Sequence, residues 1–188
     1  MKTFNKTLIA AATLTTFGLA AAPAAVALDA SASLATSYLW RGTELGNGDA
    51  ALAVDLSDSA GPVSYGAWVS SGDSGSTEYD LYASLGGSLG EIGYSLGYAS
   101  YNYPASDVSH TSEYIVGLSY GPASVTVFEN TKSEKDYTYT VIGYEAGAFS
   151  FAYGDEDDAG AERTHFDVSY AVNDSLTLTV SEPEDAET

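Results

Sequence analysis

The run Glu91-Ile92-Gly93-Tyr94-Ser95-Leu96-Gly97-Tyr98 decides the fold. Ile92, Tyr94, Leu96 and Tyr98 alternate with Gly93, Ser95 and Gly97. A period of two gives an extended strand one apolar face and one small, polar face. The pattern recurs along the chain. Val63, Tyr65, Ala67 and Val69 alternate with Ser64, Gly66, Trp68 and Ser70. Tyr79, Leu81, Ala83 and Leu85 alternate with Glu78, Asp80, Tyr82 and Ser84. Tyr114, Val116, Leu118 and Tyr120 do so with Glu113, Ile115, Gly117 and Ser119. Phe166, Val168 and Tyr170, and then Leu176, Leu178 and Val180, repeat it. The stretches 31–41, 50–57, 123–130, 137–145 and 149–154 read as further strands. Together they make about eleven strands, close in length to the about 9–11 residues with which a tilted strand crosses a bilayer.

The connections alternate too. Asp58 to Pro62, Gly86 to Gly90, Gly121-Pro122, Glu145 to Ala148 and Asn173-Asp174 are tight. Gly42 to Asp49, Ser71 to Thr77, Pro104 to Thr111, Thr131 to Asp136 and Asp155 to Glu162 are longer and polar. Short turns at one end and long loops at the other mark a transmembrane barrel. A soluble β-sandwich alternates hydrophobicity equally well but has less reason to alternate loop length. Tyr38, Tyr98, Tyr101, Tyr103, Tyr120, Tyr137 and Tyr170 stand near predicted strand ends, where aromatic girdles form. Tyrosine is also a good strand former anywhere.

The chain has 188 residues, 45% of them hydrophobic, with 6 Lys and Arg against 26 Asp and Glu. The formal net charge of −20 disfavours nucleic-acid binding, which needs a basic face. The absence of cysteine excludes disulfides, thiolate metal sites and a cysteine nucleophile. Lys2 and Lys6, an apolar middle from Leu8 to Ala22 and a small-x-small end at Ala25-Val26-Ala27 form the three parts of a secretory signal. Thr13, Thr15, Thr16 and Pro23 interrupt the run too often for a spanning helix. We therefore expect residues 1–27 to be a cleaved leader and 28–188 one domain. Any passage through a membrane then has to be by a closed barrel.

The charges test that expectation, because a lipid-facing Lys or Arg near the bilayer midplane costs about 2–4 kcal/mol. Parity sets Arg41, Asp55, Glu78, Asp80, Glu113, Arg163 and Asp167 opposite the apolar face. Glu129 and Glu145 share parity with their strands' valines but sit at strand ends. With Trp68 and His165, the seven inward charges are the candidate pore-lining residues. Two expectations stay open. Small inward residues leave space, and five acids against two arginines favour cations or neutral solutes. Alternatively, Arg41 and Arg163 pair with Asp55, Asp80 or Asp167 and fill the interior.

Thr36-Ser37-Tyr38-Leu39-Trp40-Arg41-Gly42 and Gly48-Asp49-Ala50-Ala51-Leu52 resemble the start of the TorF family of outer-membrane porin-like proteins. Tyr65 to Ser70, Glu78 to Tyr82 and Gly97 to Pro104 are similar to its third, fourth and fifth strands. The resemblance covers residues 31–104 in distinct motifs and the remainder in style. It implies a porin-like barrel without naming a solute. Two features depart from the pattern: the chain ends Ser181 to Thr188 without a terminal aromatic, and the strand count is odd.

Nothing points to catalysis. No P-loop or dinucleotide fingerprint occurs in a strand–helix setting, so no enzyme and no cofactor is expected. His110 falls in a long loop, and His165 reads as a wall residue rather than a metal ligand. Asp155-Glu156-Asp157-Asp158 reads as a solvated outer loop, since its spacing is not that of an EF-hand. The expectation is an all-β, antiparallel up-and-down transmembrane β-barrel of about 10–12 strands in a Gram-negative outer membrane. Its expected task is passive diffusion of small solutes. Its expected partners are outer-membrane lipids, those solutes and the barrel-assembly machinery. The rivals are a non-conducting structural or adhesive barrel and a secreted acidic β-protein.

Overall fold

Glycine sets the reversals. Gly61, Gly90, Gly121 and Gly147 each take a positive φ at the first position of a two-residue turn. The second positions, Pro62, Glu91, Pro122 and Ala148, do not. That combination is the type II′ hairpin, whose twist matches the flanking strands. Each turn therefore returns the chain antiparallel beside itself. The computed structural model describes residues 7–15, 28–71, 77–104, 110–131, 137–158 and 161–185.

The strands, in chain order, are β1 (Thr7–Thr15), β2 (Asp29–Ala35), β3 (Tyr38–Trp40), β4 (Thr43–Leu45), β5 (Ala51–Ala60), β6 (Val63–Ser70) and β7 (Glu78–Leu89). They continue as β8 (Ile92–Asn102), β9 (Thr111–Tyr120), β10 (Ala123–Asn130), β11 (Tyr137–Ala146), β12 (Phe149–Asp158), β13 (Ala161–Asn173) and β14 (Leu176–Asp185). There is no α-helix among the described residues. Eleven strands, β2 and β5 to β14, pair each with the next in one large antiparallel up-and-down sheet. β3 and β4 form a separate two-stranded hairpin. The backbone of β1 is registered along both outer strands, Thr7 to Ala12 against Ser181 to Leu176 and Ala11 to Thr15 against Ala35 to Ser31. Residues 1–6 and 16–27 of the expected leader, including its Ala25-Val26-Ala27 end, lie outside the described residues.

The sheet is inverted relative to a water-soluble protein: its apolar face is the exposed one. Leu52, Val54 and Leu56 on β5, Leu81, Leu85 and Leu89 on β7, and Tyr114, Val116 and Leu118 on β9 all stand in the open. So do Ile142 and Tyr144 on β11 and Phe166 and Tyr170 on β13. Parity keeps these side chains on one side because the ladders are in register from strand to strand. The fully buried groups are instead polar: Glu113 and Ser181 have no exposure.

Three expectations need correction. Residues 31–41 are not one strand: the chain bends at Thr36-Ser37, and β3 leaves the sheet. The acid run is not a loop from Asp155, because β12 continues through Asp158 in register with Thr140 to Tyr137. The girdle also splits. Tyr98, Tyr120 and Tyr170 lie on the exposed face. Tyr38, Tyr101, Tyr103 and Tyr137 turn to the other side and give their hydroxyls to carboxylates.

Gly121 and Gly86 offer a contrast that tests the turn argument. Gly121→Ala forces an L residue to φ +55 and is expected to cost about 1–2 kcal/mol. Gly86→Ala, whose Cβ would meet nothing nearer than 3.7 Å, is expected to change stability by less than about 1 kcal/mol. Urea unfolding of the refolded protein, followed by circular dichroism, measures both; equal costs would refute the turn assignment.

Candidate functional site

The site begins with a tight turn. Trp40 pairs with Thr43, leaving Arg41-Gly42 as a two-residue loop with φ of 47 and 77. Two positive φ values define a type I′ turn, which prefers Asn-Gly. Arginine there is strained by on the order of 1–3 kcal/mol. The compensation is what its guanidinium reaches.

Arg41 Nη2 lies 2.6 Å from Glu113 Oε1 and 2.8 Å from Oε2. Its Nη1 is 3.8 Å from Glu156 Oε2. Four rings surround Cζ: Tyr139 at 4.3 Å, Trp40 at 4.7 Å, Phe128 at 4.9 Å and Tyr137 at 5.6 Å. Such contacts add about 0.5–2 kcal/mol when desolvated. Glu113 also accepts hydroxyl protons from Tyr101 at 2.6 Å and Tyr137 at 2.7 Å. This carboxylate has no exposed surface. Its donors come from the hairpin, β8 and β11, so the sheet must curl around it.

A second carboxylate, Glu78, repeats the theme. Tyr38 and Tyr103 donate to it at 2.8 Å and 2.7 Å. Burial first, and then Glu78, raises both phenols far above their ordinary range, so both stay protonated donors. Tyr38 also packs on Trp68, with centroids 6.2 Å apart, and Trp40 meets Tyr101 edge-on at 5.5 Å. On the far side, Gly42 and Gly154 both lie against the His165 ring, and only glycine leaves it room. The hairpin thus touches side chains of strands from β6 to β13. It sits at the end where the longer connections emerge, because Glu78, Glu113 and Tyr137 open their strands there and Tyr101 and Glu156 close theirs.

His165 belongs to a further chain of hydrogen bonds. Tyr139 Oη is 2.9 Å from its Nε2, and Asp167 Oδ1 is 3.1 Å from its Nδ1. Ser181 gives its hydroxyl to the same Asp167 oxygen at 2.5 Å. A hydrolytic triad needs serine on the imidazole, whereas here aspartate stands between them. Arg163 contacts Glu156, but its side chain is 44% exposed, so that pair is worth little.

The nine candidate residues therefore separate. Glu78, Glu113, His165 and Asp167 meet the hairpin or its hydrogen-bond network, as Arg41 itself does. Arg163 lies at its margin. Asp55 stands apart, accepting from Tyr82 at 2.8 Å. Asp80 is buried beside Trp68 and Tyr101. The expected partners of the arginines were Asp55, Asp80 or Asp167; the actual ones are Glu113 and Glu156. Glu156 was missed because it was assigned to a loop. Its parity with Gly154, opposite Tyr153, would have revealed it. Beyond the hairpin, towards the tight turns, the same face carries Gly93, Ser95, Gly117, Ser119 and Ser124, which line a cavity of about 320 Å³. Among the described residues, no group of three or more His, Asp and Glu is arranged to hold a metal.

Comparisons with protein-family models, curated proteins and solved structures found no match to the chain.

The Arg41–Glu113 pair predicts its own energetics. Arg41→Ala leaves a buried carboxylate without its cation and is expected to cost about 3–5 kcal/mol. Replacing both partners, Arg41→Met with Glu113→Gln, is expected to recover most of that loss. Denaturant unfolding of the single and double variants measures it; a single-variant cost below about 1 kcal/mol would show the pair to be dispensable.

Proposed function

We propose that the chain is an outer-membrane β-barrel that lets small solutes pass by diffusion through a narrow, acid-lined interior. The single observation that carries this reading is the inversion of the sheet. A continuous exposed apolar face suits lipid, and an enclosed polar face suits a water-filled or hydrogen-bonded lumen. The likeness to the TorF family, the leader-like start and the alternating connection lengths point the same way. In this reading the protein is exported to a Gram-negative outer membrane, folded by the barrel-assembly machinery and surrounded by outer-membrane lipids. Asp55, Glu78, Asp80, Glu113, Glu156 and Asp167 outnumber Arg41 and Arg163 on the inner face, so cations are preferred over anions.

A second reading has its own observation. The hairpin crosses the interior and its buried charges are paired, as a sealed structural barrel would have them. Bilayer recording separates the two. The expected result is a small conductance whose reversal potential under a salt gradient shows cation preference; no conductance would favour the sealed barrel.

Lipid contact is tested independently. Leu96→Arg on the exposed face is expected to destabilise the protein by about 2–4 kcal/mol in phospholipid vesicles. An exposed Leu96 in a soluble fold would tolerate arginine within about 0.5 kcal/mol. A heat-dependent shift on an SDS gel of the membrane fraction reports the same distinction.

A further inference from the structure

One carboxylate has an oxygen that the neighbouring side chains leave unanswered. Asp80 is 9% exposed, and its Oδ1 is buried with no hydrogen-bond partner. Its other bonding is to the Asn102 backbone. The ladders place Asp80 directly between Trp68 on β6 and Tyr101 on β8. Directly opposed residues of an antiparallel pair have Cβ atoms about 4.5–5.5 Å apart. The three therefore form a row, aromatic–carboxylate–aromatic, across adjacent strands. Tyr82 lies two residues along β7 on the same face. Trp68, Asp80, Tyr82 and Tyr101 all line one cavity of about 380 Å³.

This arrangement differs from the hairpin cluster, where acids are met by arginine and phenols. Here an acceptor is buried against rings, with space in front of it. A buried polar atom without a partner costs about 1–3 kcal/mol, more if charged, so the site is incomplete by itself. A hard metal ion would want six or more oxygen ligands, and Asp80 is the single carboxylate lining the cavity. An uncharged alcohol could donate to Oδ1 but would gain nothing from the ring faces. A protonated amine gains from both, since its N–H donates to the carboxylate and its charge is attracted by the rings.

We propose that Trp68, Asp80, Tyr82 and Tyr101 form a binding subsite for a small organic ammonium ion. The proposal deepens the passage reading above by naming a solute class, and it rests on that reading for its biological purpose. Asp80 supplies the acceptor, and the aromatic walls select an alkylated cation over a hydrated metal ion.

The site contains one of only two tryptophans in the chain, which supplies the probe. In a Trp40→Phe background the fluorescence belongs to Trp68. Methylammonium is titrated at pH 8 with ionic strength held by KCl. The expected result is a saturable spectral change, at least tenfold weaker in Asp80→Asn and absent with methanol. A linear response, one shared by KCl, or one unchanged in Asp80→Asn would overturn the proposal. Should either variant fail to fold, saturation-transfer NMR on the unaltered protein decides: transfer to the methyl protons of methylammonium supports the site, and its absence refutes it. Binding without bilayer conductance would retain the subsite and remove the passage; conductance without binding would do the reverse.

Discussion

A carboxylate wholly removed from water organises the interior. Burying an isolated charge is prohibitive, so Glu113 is tolerable only when cations and donors converge on it. They come from distant points in sequence: Arg41 from the hairpin, Tyr101 from β8 and Tyr137 from β11. A slip of one residue in any of these ladders would send its donor to the opposite face. The hydrogen-bond set therefore fixes register and curl together. It also explains why the turn carries arginine in a backbone conformation that favours asparagine or glycine. The guanidinium must leave the turn inward, be ringed by aromatic faces and bind both oxygens of one acid. Lysine, a compact and strongly hydrated point charge, would meet those demands poorly.

The inner face is consequently divided along its length. Near the longer connections it is filled with charge and aromatic rings, each group answered by another. Near the tight turns it is lined by Gly and Ser, and space remains. Asp80, two residues along β7 from Glu78, is the exception in the first region, buried but incompletely bonded. The division follows from packing as much as from charge. The hairpin presents three large side chains, Tyr38, Trp40 and Arg41, and only one end of the sheet carries the partners to receive them.

Much of the sheet was legible because strand periodicity is a local property. About eleven strands were expected, and each has a counterpart in the sheet, where β1 is registered as a twelfth; Gly121-Pro122 is among the turns placed correctly. Glu78, Asp80 and Glu113, read by parity as opposite the apolar face, are buried while that apolar face is exposed. The hairpin was not legible. Tyr38-Leu39-Trp40 alternates like any strand, and the bend at Thr36-Ser37 has no strong signature. Its fate depends on a buried acid more than seventy positions away in sequence. The tyrosines misled for a related reason. A phenol at a strand end suits either a lipid headgroup or a buried carboxylate, and only the tertiary partner decides. Glu156 was hidden by its acidic neighbours, since a run of four acids reads as solvated until the ladder with β11 shows alternate members turning inward.

Strand number imposes one more constraint. In an up-and-down sheet of eleven strands the first and last run in the same direction, so β2 and β14 are parallel edges. An antiparallel strand fits between such edges, and the backbone of β1 is registered on both. Yet β1 lies inside the segment that reads as an export leader. The two roles compete: a leader removed after Ala27 takes β1 with it, while a retained β1 supplies a twelfth strand and an even count. Unpaired edges invite association, so a chain that lost β1 would have to pair its parallel edges directly or cover them. The mass of the mature chain distinguishes removal from retention. Removal would leave the hairpin cluster to hold the curl, since its contacts run from β6 to β13 and require neither edge. Closure and interior packing are thus separate problems in this chain, the second solved by Arg41 and Glu113 whatever completes the first.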